Sequence, residues 1–209
     1  MCFNRQSAYP WVNCAPHLAD LLLYSYEADF IPVLLNKSER KVTRSFNYTF
    51  RYIDDVLSLN NSRLGDIVDR IYPIELEIKD TTDTDMSASY LDQHLKIDSE
   101  GQLRTKFNDK RDDFNFPIVN FPFICSNIPA APAYGVYISR LLIRYCRVCG
   151  SYQDFLDRWL LLTRKLLNEG FLLVKLMSSL RKFYGRHHDL VDRYRIYVSQ
   201  MTTNMLHLS

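Results

Sequence analysis

The sequence predicts an α+β chain, with short strands and helices interleaved up to residue 109 and helices alone from residue 134. Three observations carry this. Residues 46–52 read FNYTFRY, with an aromatic ring at every second position, as a strand with one buried face requires. A second alternating pair, YLDQHLKI and QLRTKF, brackets the turn-forming Asp98-Ser99-Glu100-Gly101. From Tyr134 onward the apolar residues fall at helical spacing.

Taken in order, Pro16 can open a helix, because its missing N–H falls where helical donors are unpaired anyway. Leu18, Leu21, Leu22, Tyr26 and Phe30 then share one helical face, and Pro32 is expected to end or bend the helix. The basic turn NKSERK leads into a strand over Phe46, Tyr48, Phe50 and Tyr52. Val56, Leu57 and Leu59 resume the apolar content beyond Asp54 and Asp55, which predicts a hairpin with the two acids at its turn. Ser62 can cap a short helix carrying Leu64, Ile67, Val68 and Ile71 on one face, closed by Pro73. Ile74, Leu76 and Ile78 alternate as a further strand, and DTTDTDMSAS reads as a loop.

Pro117, Pro122, Pro129 and Pro132 exclude a continuous helix or central strand over 110–133 and set the expected domain boundary there. The organisation expected is therefore 1–109, a 110–133 connection, and a helical 134–209. In the helical region a first helix runs from Tyr134 to Cys149. A second begins at Ser151, with Asp154 placed as in a capping box, and reaches Leu167; Gly170 stops it. A third spans Phe171 to Tyr184, and a last one lies near Asp189 to Met201.

With 209 residues, 47% of them hydrophobic and 24% charged, the chain can build one or two cores, which argues against wholesale disorder. The net charge of +2 conceals a split: 14 Lys and Arg face 19 Asp and Glu up to Val136, and 12 face 5 from Tyr137 onward. Such asymmetry suits a polyanionic partner on the basic C-terminal region, and solvated helix faces account for it equally well. Five cysteines without a secreted-scaffold spacing, and an opening MCFNRQSAYPWV without an apolar core, lead to an expected intracellular location, nuclear or cytoplasmic. The most apolar stretch, 159–180, carries Arg164, Lys165, Glu169 and Lys175, so no membrane partner is expected.

Asp-Asp at a turn is ordinary by itself, since Asp side chains hydrogen-bond nearby backbone there. The flanking aromatic strands change the reading. Like charges side by side in a partly desolvated site repel unless a cation sits between them. Mg²⁺ takes one or two carboxylates plus substrate phosphates, and a two-metal site of hard oxygen ligands serves in-line phosphoryl transfer. The chemistry indicated is nucleotidyl transfer.

Tyr52-Ile53-Asp54-Asp55 resembles the Tyr-x-Asp-Asp box that reverse transcriptases carry at the tip of a palm hairpin. Asn13-Cys14-Ala15-Pro16 with LADLLLYSYE is similar to the loop and helix that precede the box. IELEIKD and Ser89-Tyr90-Leu91-Asp92 with HLKIDSEGQLRTKFNDKRD resemble the strand and primer-gripping hairpin of Penelope-like retroelement polymerases, and the basic helical end is placed like their thumb. The resemblance implies an RNA-directed DNA polymerase with a partial palm and a helical thumb-like region, using Mg²⁺ or Mn²⁺, an RNA template, a DNA primer and deoxynucleoside triphosphates. It implies that Asp54 and Asp55 are catalytic metal ligands, that Tyr52 sits near the primer terminus, and that Asn13 lies beside the incoming nucleotide.

This family also takes a third carboxylate from a strand upstream of the Asn13 segment, where the sequence has no acid, and Pro10-Trp11-Val12 stand where a glycine is usual. The expectation is an N-terminally truncated or decayed palm-and-thumb fragment with weakened metal binding. The alternative from another class is a non-catalytic nucleic-acid-binding remnant; a third is a plain α+β domain. Lys110, Arg111, Arg140, Arg144 and Arg147 are the candidate phosphate contacts, with ordinary surface charge as the competing account. Cys146 and Cys149 have metal-like spacing without a second pair and read better as thiols, and His187-His188 reads as a helix junction.

Overall fold

The computed structural model describes residues 15–36, 40–116, 121, 123–127 and 129–206. It is mixed helix and antiparallel sheet, an α+β fold. Two compact units divide the chain, Met1–Leu91 and Asp92–Ser209.

In the first unit, α1 (Ala15–Asn36) is followed by α2 (Arg40–Ser45), a 3-10 turn Phe46–Tyr48, and the strands β1 (Thr49–Tyr52) and β2 (Asp55–Ser58); α3 (Leu64–Ile71) and β3 (Ser87–Tyr90) complete it. Pro32 lies inside α1 and does not end it: only the rung its missing N–H would have made is lost, and the helix runs on to Asn36. Nor does α1 bury an apolar face. None of its residues is buried, and Leu18, Leu21 and Leu22 are exposed.

The strand of alternating aromatics starts at Thr49 rather than Phe46, and its faces are reversed from expectation. Tyr48, Phe50 and Tyr52 are 62%, 50% and 56% exposed, while Thr49 and Arg51 are half-buried. The register explains this. Arg51 stands opposite Val56, a member of the small core that Val56, Leu64 and Val68 form with Phe46 and Ile78 beside them. The face that packs is thus the Arg51–Val56 face, and a bond of 2.6 Å between the Thr49 and Ser58 hydroxyls lies on it at the far end.

Leu64, Ile67 and Val68 of α3 are buried as their spacing predicts, but Ser62 is not the cap; Arg63 holds that position, its N–H donating to Asn61 Oδ1 at 3.2 Å. Residues 74–78 form no strand. Leu76 N–H turns back to the Pro73 carbonyl at 2.9 Å, leaving Ile74 at 96% exposure.

The second unit opens with the antiparallel strands β4 (Gln93–Ile97) and β5 (Leu103–Phe107), paired from Gln93↔Phe107 to Ile97↔Leu103 as the turn chemistry predicts. Asp98 Oδ1 accepts from the Glu100 and Gln102 N–H groups, and Gly101 supplies the left-handed residue at φ +75°. A 3-10 turn, Lys110–Asp113, follows in the proline-rich stretch. The helical remainder consists of α4 (Ala130–Pro132), a π turn Ala133–Tyr137, α5 (Ile138–Val148), α6 (Tyr152–Asn168), α7 (Leu173–Arg186), α8 (His188–Val191), a 3-10 turn Asp192–Tyr194 and α9 (Val198–Leu206).

Ser151 caps α6 by accepting from Asp154 N–H at 3.1 Å, and Gly170 ends the segment at φ +83°, both as the sequence predicts. The last predicted helix is split, because Arg195 adopts a left-handed φ of +53°. Phe155, Trp159, Leu142, Leu176, Leu180, Phe183 and Met201 form the centre of the core. Strand β5 belongs to this core: Phe107 packs edge-on to Tyr145 at 4.8 Å, and Thr105 Oγ1 donates to the Val148 carbonyl at 2.7 Å. That is why the division falls at residue 91, ahead of β4, whereas the sequence places it in 110–133.

Candidate active site

The pairing Tyr52↔Asp55 leaves Ile53 and Asp54 as the two central residues of the β1–β2 turn, with Asp55 the first residue of β2. The acids therefore sit one residue later than a turn built from both of them. Ile53 has φ +52°, a left-handed conformation that crowds a β-branched side chain. Asp54 and Asp55 are both half-buried.

Arg51 braces this turn. Its Nη1 donates to the Ile53 carbonyl oxygen at 3.1 Å and to Asp20 Oδ1 at 2.5 Å, and its Nε donates to Glu27 Oε1 at 2.7 Å. Asp20 and Glu27 lie two turns apart on α1, so one guanidinium ties the turn to a helix. Burial works to lower the Arg51 pKa, but hydrogen bonds and charge from Asp20 and Glu27 outweigh it and hold the group above its ordinary value. Tyr72 O–H donates to the same Glu27 oxygen at 2.5 Å; burial and this bond raise its phenol pKa.

The sequence singled out Asp54 and Asp55 as a turn pair; the structure puts Asp54 in the turn and Asp55 at the start of β2. It did not find Arg51, which reads as the polar member of an alternating strand. The signal was there in principle: an arginine three residues before an acidic pair, with Asp20 and Glu27 at helical spacing upstream.

Asp54 and Asp55 are hard oxygen donors of the kind Mg²⁺ takes from protein beside substrate phosphates. Among the described residues no group of three or more His, Cys, Asp or Glu is placed to hold a metal. Asn13, expected beside the nucleotide, lies outside the described residues.

No family model, curated protein or solved structure matches this chain.

The candidate phosphate contacts belong to the second unit and fall into two sets. Arg140, Arg144 and Arg147 are exposed and share one face of α5, opposite the buried Leu142, Tyr145 and Cys146. Arg144 is tethered, its Nε donating to Asp92 Oδ2 at 2.5 Å while its guanidinium lies 5.1 Å from the Phe107 ring centroid. Arg111 is engaged with Asp109 through Nε at 2.6 Å and Nη2 at 2.5 Å, and Lys110 is exposed beside it. Cys146 and Cys149 are buried thiols, and burial pushes the Cys146 pKa up to about 12, far from the thiolate a metal would need. His187 ends α7 and His188 starts α8. Among the described residues no helix is long and apolar enough to cross a membrane.

Proposed function

We propose that this chain belongs to an RNA-directed DNA polymerase of the retroelement kind, with the β1–β2 hairpin as its catalytic palm turn and the helices of the second unit as its thumb. The observation that carries the reading is the tight Ile53-Asp54 turn, with Asp55 opening β2, braced from α1 by Arg51. Asp54 and Asp55 would hold Mg²⁺ or Mn²⁺, which when bound supplies Lewis-acid assistance to nucleotidyl transfer onto a primer 3′-hydroxyl. Tyr52, exposed on the strand that leads into the turn, offers a ring face to the primer terminus. Arg51 acts through the Ile53 carbonyl as a positioning residue.

Primer extension on an RNA template with deoxynucleoside triphosphates and Mg²⁺ or Mn²⁺ tests this. Incorporation that disappears in Asp54→Asn supports the polymerase.

A second reading, a nucleic-acid-binding remnant without chemistry, is favoured by the arginine face of α5. Salt-sensitive binding of an RNA–DNA duplex without incorporation selects it. Failure to bind either nucleic acid or divalent metal removes both.

A further inference from the structure

We propose that the exposed ring face of the β1–β2 hairpin is a stacking platform for the unpaired bases of a single-stranded nucleic acid. Tyr48, Phe50 and Tyr52 project from one side of the hairpin, all three exposed. Tyr48 stands at the head of the strand, where its carbonyl accepts from Leu59 N–H at 3.0 Å; Phe50 and Tyr52 follow on β1, opposite Leu57 and Asp55. Among the described residues none of the three packs on another ring, and neither tyrosine hydroxyl has a hydrogen-bond partner. One exposed ring is ordinary, but three at alternate positions of one strand make a contiguous apolar strip.

The spacing of the strip fits a base. Alternate side chains of a strand lie about 6.8 Å apart along it, which is two layers at the roughly 3.4 Å per-nucleotide rise of a stacked strand. A flat base can therefore enter between successive rings and meet a ring on each side. The strip is also held in place beforehand, because on the opposite face of β1 the Arg51 guanidinium binds Asp20 and Glu27 of α1.

Stacking leaves tyrosine hydroxyls and base edges in water, whereas a close-packed protein partner would have to desolvate both hydroxyls and the Asp55 carboxylate opposite Tyr52. A duplex offers no free base faces, since its bases already stack on one another, so the partner is single-stranded. Charge agrees with this choice. Directly before the strip, α2 reads RKVTRS, with three basic residues and no acid, and Arg44 is exposed and in no ion pair among the described residues. Asp54 and Asp55 repel phosphate at the other end, so the sugar–phosphate chain leaves the platform on the α2 side. The inference rests on nucleic acid as the partner and not on metal chemistry, so a chain that fails to extend a primer leaves it standing.

Fluorescence anisotropy of the full chain in EDTA tests it with three labelled probes of equal length: oligothymidylate, an abasic deoxyribose-phosphate strand, and a blunt DNA duplex. Oligothymidylate is expected to bind about tenfold or more tighter than either other probe, because each stacked base adds to what the phosphates supply. Phe50→Leu keeps an apolar side chain without a ring and should weaken oligothymidylate binding about tenfold, while Phe50→Trp should bind as tightly as the parent or tighter. Tyr48→Leu repeats the loss at a second exposed ring, so a Phe50 variant that melts lower does not leave the question open. Equal affinity for the abasic strand would assign binding to phosphate contacts alone. Binding unchanged in both Phe50→Leu and Tyr48→Leu would put the bases elsewhere, and a sedimenting dimer of the parent that both variants disperse would put a second copy on the rings. Each of these outcomes overturns the proposal, as does equal affinity for the duplex or no binding of oligothymidylate.

Discussion

Arg51 Nη1 donates a 3.1 Å hydrogen bond to the carbonyl oxygen of Ile53, inside the turn that carries Asp54. The same guanidinium holds Asp20 and Glu27, and its side chain is only 13% exposed. Replacing it by methionine keeps most of the stem but leaves the Ile53 carbonyl without this donor and the partly buried Glu27 without its counter-charge, still held by Tyr72 O–H. The expected cost is about 1–2 kcal/mol, at the low end of a buried pair because Asp20 is half in water. Chemical denaturation of Arg51→Met against the parent measures it, and an unchanged midpoint would show that the brace is incidental.

Ile53 itself makes the opposite prediction. A β-branched residue at φ +52° is crowded by about 1–2 kcal/mol relative to a conformation it prefers, and asparagine tolerates that region far better. Ile53→Asn should therefore be neutral or stabilising by up to about 1 kcal/mol, despite losing apolar surface. A clear drop in melting temperature would mean that the Ile53 side chain contributes more through packing than the backbone loses.

Why the turn was legible and its brace was not follows from the range of the forces involved. The hairpin turn at Asp98–Gly101, the Ser151 cap and the Gly170 stop are each decided within a few residues, so the residues themselves announce them. Alternation from Tyr48 to Tyr52 is equally local, but it only says that the strand has two faces. Which face packs was decided by Asp20 and Glu27 on a distant helix, and they drew Arg51 inward and left the aromatic rings outside. The failed strand at 74–78 shows the limit of alternation in another way: a turn after Pro73, closed by Leu76 N–H on the Pro73 carbonyl, takes the segment out of extended geometry. Adjacent acids at Asp54 and Asp55 could be read from the chain, while the brace that Arg51 makes to Asp20 and Glu27 depends on residues 24 or more positions away.

Gly150 is a close-contact position. A Cβ there would lie 3.1 Å from Thr105 Oγ1 and 3.3 Å from the Thr105 carbonyl oxygen, which also accepts the Gly150 N–H at 2.8 Å. Gly150→Ala should cost about 1–3 kcal/mol, because β5 must move off the α5–α6 junction. Adding Thr105→Ala removes the nearer clash, so the double variant should lose less than the two single losses combined. Additive losses in a double-mutant cycle would locate the strain elsewhere.

Stability should fall on the alkaline side. Burial raises the Cys146 thiol from an ordinary 9.0 to about 12, and the Tyr145 and Tyr194 phenols from 10.0 to about 12. The folded chain thus holds these protons more tightly than the unfolded one. Their contribution is complete below pH 9 and is lost as pH rises from about 9 toward about 12, where the unfolded state gives up its protons first. Denaturation midpoints followed from about pH 8 to about pH 11 should decline, and Cys146→Ala should soften the decline. In the native state at about pH 8 a thiol reagent should modify exposed Cys125 well before Cys146 or Cys149.

The arginines of α5 differ in what they can offer a polyanion, and that difference can be measured. Arg140 and Arg147 are exposed on the same face, while Arg144 must first give up Asp92 and its place beside Phe107, and Arg111 must give up Asp109. Releasing an existing ion pair offsets most of what a phosphate contact gains, since one charge-assisted bond is exchanged for another. If the second unit binds nucleic acid, Arg140→Gln and Arg147→Gln should each weaken binding uniformly across sequences and reduce the slope of log affinity against log salt by about 1. Arg144→Gln and Arg111→Gln should change that slope less and lower folding stability more. Fluorescence anisotropy with a labelled RNA–DNA duplex over a salt series gives the slopes. Equal effects from all four arginines would mean that the tethers to Asp92 and Asp109 do not survive contact with the nucleic acid.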